Sequence, residues 1–96
     1  GWHPLFDEVL YQKAEIRIRQ GRYTDADSLL NLLTYSYPDD ILGDDALFRR
    51  AQLQEEIFKD EELAMTLYRE LLTRYPGSVY TVVARKKFRE MRGDEI

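Results

Sequence analysis

The sequence predicts an all-α fold of five helices, two antiparallel pairs followed by a closing helix, and three observations carry that prediction. The stretch 61–76, EELAMTLYRELLTRYP, has a looser copy upstream in DADSLLNLLTYSYP. Ala64 answers Ala26 and Tyr75-Pro76 answers Tyr37-Pro38, each 38 positions on, and a period of about 20 to 50 residues marks a stacked architecture. Apolar residues recur at helical spacing in five segments, whereas strict alternation appears only at residues 16–18. The connections are short, which favours antiparallel neighbours.

The first helix is expected from Pro4, a good first-turn residue, through the rows Leu5, Val9 and Phe6, Leu10, Ala14, Ile18, to a stop at Gln20-Gly21. Thr24 or Asp25 should cap the second, with Ala26, Leu29, Leu30, Leu33 and Tyr37 on one stripe and Pro38 ending it. After the acidic loop of Asp39, Asp40 and Gly43, Asp44 is the expected cap of a third helix. Its apolar positions are Ala46, Leu47, Ala51, Leu53 and Ile57, and Phe58 closes it. Asp60 should cap the fourth, where Glu61 and Glu62 suit the positive end of the helix dipole and Leu63, Leu67, Leu71 and Ala64, Tyr68, Leu72, Tyr75 form adjacent rows. Ser78 should cap the fifth, with Tyr80, Val83, Ala84, Phe88 and Met91 facing inward and Gly93 ending it.

A chain of 96 residues makes one domain. With 44% hydrophobic and 33% charged residues it belongs among folding sequences. The net charge of −4 gives no general attraction to nucleic acid or an anionic membrane. Without cysteine there is neither a disulfide framework nor a thiolate zinc site, and the compartment stays open. No apolar run approaches the ~18 residues of a membrane span. Gly1 in place of methionine and the abrupt start at Trp2 read as a fragment of a longer chain.

The two helix pairs and their punctuation resemble tetratricopeptide repeats: Ala14, Gly21, Tyr23, Ala26 and Pro38 in a first repeat, residues 8–38, and Ala51, Ala64, Tyr68 and Pro76 in a second, residues 45–76. The small pair is twelve apart in the first and thirteen in the second, which places an inserted residue near Lys59-Asp60. Leu10, Lys13 and Arg17 depart from the family's Trp, Leu and Tyr. Residues 78–92 resemble the capping helix of bacterial members, some of which are found at the cell envelope. The resemblance implies a right-handed stack whose closing helix covers the last repeat.

It also implies a concave groove lined by the first helix of each pair. That maps to Tyr11, Glu15, Ile18 and Arg19 from helix one, Phe48, Gln52 and Glu55 from helix three, and Arg85, Phe88 and Arg89 from the cap. The competing reading makes Tyr11 and Phe48 ordinary core. The partner is then another protein, with no cofactor. Two alternatives stand beside it: self-association through Trp2, Leu5, Phe6 and Val9, and binding of nucleic acid or an acidic tail through the basic run 85–92, which otherwise offsets the carbonyl end of its helix. Asp39, Asp40, Asp44 and Asp45 invite a calcium reading, but the spacing is wrong for a calcium-binding loop and Asp44 is wanted as a cap. His3, the lone histidine, has no companion to activate. No phosphate-cradling glycine loop, nucleophile motif or zinc spacing occurs, so the sequence reads as non-catalytic.

Overall fold

The computed structural model describes residues 6–36 and 42–93. Five helices follow one another, α1 (Phe6–Arg19), α2 (Tyr23–Ser36), α3 (Gly43–Glu56), α4 (Glu61–Arg74) and α5 (Thr81–Arg92), and no strand occurs among the described residues. Each packs on the next in sequence. The expectations for Pro4, Leu5, Tyr37 and Pro38 lie outside the described residues, as does the side chain of Phe6.

Two of the helix ends are built as the sequence implies. At the end of α1 the amide of Arg22 donates to the Arg17 carbonyl at 2.8 Å and that of Gly21 to Ile18 at 3.0 Å. This doubly bonded ending requires a left-handed residue, and Gly21 supplies it with φ 76°. At the start of α4 the Asp60 carboxylate accepts from the Leu63 amide at 3.1 Å, and Glu61 and Glu62 occupy the first turn.

Three other caps differ from expectation. The Ala26 amide already donates to the Arg22 carbonyl, so α2 begins before Thr24 and Asp25, and Asp25 pairs with Arg22 at 2.7 Å instead of capping. Leu42 precedes α3 without a side-chain bond, leaving Asp44 inside its first turn. Ser78 stands two residues ahead of Tyr80, which takes the cap position of α5: the Ser78 Oγ accepts from the Tyr80 amide at 3.1 Å and donates to Asp44 Oδ2 at 2.6 Å. In the latter two cases a carboxylate or hydroxyl that local rules assign to capping is drawn into a contact between helices.

Helix α3 also ends earlier than expected, at Glu56, with the amides of Ile57 and Phe58 both folding back on the Leu53 carbonyl. Ile57 and Phe58 are therefore exposed. The loop 57–60 holds four residues where the loop 20–22 holds three, and Lys59 absorbs the difference with φ 59°. This is where the sequence placed its insertion.

The core has two parts. Leu10, Ala14, Ala26, Leu30, Leu33, Ala46 and Leu53 form one, while Leu47, Ala51, Ala64, Leu67, Tyr68, Leu71 and Ala84 form the other. Helix α3 serves both, giving Ala46 and Leu53 to the first and Leu47 and Ala51 to the second. Ala14, Ala26, Ala51 and Ala64 are fully buried, as close helix crossing demands. Val83 is the exception on α5: it is exposed, and Tyr80, Ala84, Phe88 and Met91 make the packing face.

Candidate partner-binding surface

Helices α1, α3 and α5 are tied to one another along one side of the molecule by charged side chains. The Arg49 guanidinium donates to Glu15 Oε2 at 3.0 Å and to Gln52 Oε1 at 3.2 Å, joining α3 to α1. On the other flank Lys87 Nζ donates to Glu55 Oε2 at 3.1 Å, joining α5 to α3, and Glu55 Oε1 accepts from the Tyr68 hydroxyl at 2.8 Å. At the N-terminal end of α3 the Tyr80 hydroxyl donates to Asp45, while Ser78 holds Asp44. Charge-assisted bonds of this kind are shorter and stronger than neutral ones, so the row is held in register.

The ten residues assigned to the groove fall into three groups. Phe48, Glu55, Glu15 and Phe88 are engaged within the fold: the Phe48 ring stacks on Tyr80 with centroids 4.3 Å apart and meets Tyr68 edge-on at 5.9 Å. Phe88 packs against the second core cluster beneath the Arg92 guanidinium, 5.1 Å from its ring centre. Arg19, Arg85 and Arg89 are exposed and carry no ion pair among the described residues. Tyr11 and Gln52 are half-buried, and Ile18 packs against the first cluster. Burial, reinforced by the carboxylates of Glu15 and Asp45, pushes the Tyr11 hydroxyl up to about 12.

The basic run of α5 divides in the same way. Lys87 is bound by Glu55, which raises its pKa despite desolvation. Arg89 and Arg92 sit in the last turn before Gly93, whose φ of 84° closes the helix, where cations offset the carbonyl dipole. Of the acidic cluster, Asp44 and Asp45 accept from Ser78 and Tyr80, while Asp39, Asp40 and His3 lie outside the described residues. For self-association, Val9 is exposed, while Trp2, Leu5 and the Phe6 side chain lie outside them.

Sequence reasoning missed the pairs that span repeats. Arg50 Nε donates to Asp27 Oδ1 at 2.9 Å, with Gln54 adding a bond at 3.3 Å. Arg74 reaches the Thr34 carbonyl at 3.2 Å and Glu70 at 2.7 Å, and Glu70 accepts from the Tyr35 hydroxyl at 2.8 Å. No local pattern announces partners 23 to 40 residues apart.

Two antiparallel helix pairs, fully buried alanines at each crossing and a closing fifth helix define a helical-repeat module. A family model for the tetratricopeptide repeat matches residues 8–40 and 45–78, and the chain belongs to that family. No curated protein and no solved structure matches it. Tetratricopeptide repeats are in general protein–protein interaction modules and carry no catalytic machinery of their own. Among the described residues no helix is long and apolar enough to cross a membrane.

Proposed function

We propose that this chain binds another protein along the side formed by α1, α3 and α5, receiving an extended peptide or a partner helix. The observation that carries the reading is the contrast within that side. Glu15, Arg49, Glu55 and Lys87 neutralise one another, whereas Arg19, Arg85 and Arg89 remain exposed without a carboxylate among the described residues. Tyr11 and Gln52 lie between them as half-buried groups with hydrogen-bonding capacity. A partner carrying carboxylates near an apolar or aromatic anchor suits such a surface, since a rigid half-buried aromatic gives contact area at little entropic cost. Phe48 and Phe88 act from below, setting the position of α3 and α5.

A photo-reactive amino acid at Gln52 or Arg85, compared with one at the exposed Asn31 of α2, tests the assignment. Cross-links to a partner should form from the first two positions and not from the third. The variant Arg85→Glu should lose capture at unchanged melting temperature, because Arg85 is exposed and carries no ion pair among the described residues. Cross-links equally strong from Asn31 would refute it.

A further inference from the structure

The outer face of α1 repeats, position by position, the face of α3 that α2 covers. The same 37 positions separate Leu10 from Leu47 and Ala14 from Ala51, all four buried, so the register is fixed by the packing. In that register Val9 answers Ala46, Ile16 answers Leu53, Lys13 answers Arg50 and Arg17 answers Gln54. On α3 these four residues meet α2. Ala46 and Leu53 are buried, and Arg50 and Gln54 both bind the carboxylate of Asp27. On α1 their counterparts are uncovered: Val9 is 52% and Ile16 39% exposed, lining with Glu8, Gln12 and Lys13 a shallow, largely apolar cavity of about 350 Å³. A second cavity, of about 360 Å³, continues from Lys13 across to Leu29 and the exposed Leu32 of α2. Neither Lys13 nor Arg17 has a carboxylate partner among the described residues, Arg17 donating only to the neutral Gln20.

We infer that this face is a second docking site, taking an acidic amphipathic helix laid against α1 as α2 lies against α3. Its apolar residues cover Val9, Ile16 and Leu32, and one carboxylate sits between Lys13 and Arg17 as Asp27 sits between Arg50 and Gln54. Charge decides the occupant. A second copy offering its other end would present Val79, Val82 and Val83, which are exposed, but flanked by Arg85, Lys86 and Arg89. Bringing those cations to Lys13 and Arg17, which have no carboxylate partner among the described residues, is repulsive. An acidic helix meets Lys13 and Arg17 with complementary charge when its carboxylate sits toward them and away from Glu8, which lines the first cavity.

The probe is a hydrocarbon-stapled helical peptide with the sequence of residues 23–36, which already carries the required aspartate and leucines. Titrated into the isotope-labelled 96-residue chain, it should shift the resonances of Val9, Lys13, Ile16 and Leu32 saturably and leave Gln52 and Arg85 unmoved. Reversing the peptide's aspartate (Asp27→Lys) should weaken binding at least tenfold. Lys13→Glu in the protein should weaken the original peptide equally and restore the reversed one, and Lys13 is exposed, so circular dichroism should report an unchanged fold. Absence of saturable shifts, insensitivity to charge reversal, or shifts mapping to Gln52 would each overturn the site. Sedimentation showing a dimer broken by Val9→Asp would assign the face to a second copy instead.

Discussion

The Phe48 ring lies flat on Tyr80, 4.3 Å between centroids and 11° between planes, while the Tyr80 hydroxyl donates to Asp45 one turn back along the helix that carries Phe48. One tyrosine thus holds the start of α5 on α3 through both its face and its tip. Phe48→Ala should lower stability by about 2 to 4 kcal/mol through lost burial and the lost ring pair, read by urea denaturation. Tyr80→Phe, which keeps the stack and leaves Asp45 without its donor, should cost about 1 to 2 kcal/mol. A Phe48→Ala protein as stable as the parent would show that the stack does not hold the cap.

The alanine crossings give a paired test. Ala64 is fully buried where α3 meets α4, so Ala64→Leu should destabilise by about 1 to 3 kcal/mol through overpacking. Leu67→Ala in the same cluster should cost about 2 to 5 kcal/mol through a cavity. An unchanged melting temperature in Ala64→Leu would mean that the crossing lies elsewhere.

Two ion pairs of similar geometry differ in surroundings. Arg50–Asp27 has side chains 15% and 21% exposed, against 58% and 48% for Arg22–Asp25. Double-mutant cycles should give a coupling on the order of 1 kcal/mol for the first and within about 0.5 kcal/mol of zero for the second. Salt at 1 M should erase the smaller and spare most of the larger.

Alkaline pH should unfold the protein through its tyrosines. Burial and the hydrogen bond to Glu55 raise the Tyr68 hydroxyl above its ordinary value of 10.0, and the bond to Asp45, with burial, raises that of Tyr80. A group raised in the folded state contributes stability that is complete below its unfolded pKa and is lost as pH climbs through the folded one, because above 10 the unfolded chain releases protons that the folded chain retains. Denaturation midpoints should stay level with respect to these groups below pH 10 and fall above it, less steeply in Tyr68→Phe. An equal slope in that variant would remove Tyr68 from the account.

The left-handed residues offer a test of opposite sign. Gly21 at φ 76° has open space around it, so Gly21→Ala should cost about 1 kcal/mol from backbone strain alone. Lys59 at φ 59° carries that strain already, and Lys59→Gly should gain about 0.5 kcal/mol after the greater freedom of the unfolded glycine is counted. Thermal melts of the two variants moving in the same direction would contradict this.

What the sequence revealed was what depends on period and on backbone chemistry. Five helices, the four buried alanines, the Gly21 ending and the Asp60 cap are all dictated within a few residues of themselves. Asp44 and Ser78 were misread as caps because each serves a distant partner as well as a local amide: Asp44 Oδ1 accepts from the Asp45 amide and Ser78 Oγ from the Tyr80 amide, while the Ser78 hydroxyl donates to the second oxygen of Asp44 across 34 positions. The family resemblance also put Phe48 on the proposed binding side without showing that Tyr80 covers its ring. For the proposed groove, the family resemblance suggested the residues, while their division into engaged, half-buried and exposed groups needed the tertiary contacts.

Helix α3 lends one face to each core cluster, and that sharing governs how the molecule comes apart. Cut between α2 and α3, the first pair would lose Ala46 and Leu53 from its own core, leaving Leu30 and Leu33 against water. Separated after α3 instead, the last two helices would lose Leu47 and Ala51. No bisection yields two self-sufficient halves, so denaturation should follow one cooperative step seen alike by tyrosine fluorescence and helical signal. The shared wall makes the smallest foldable unit of this stack the whole of it.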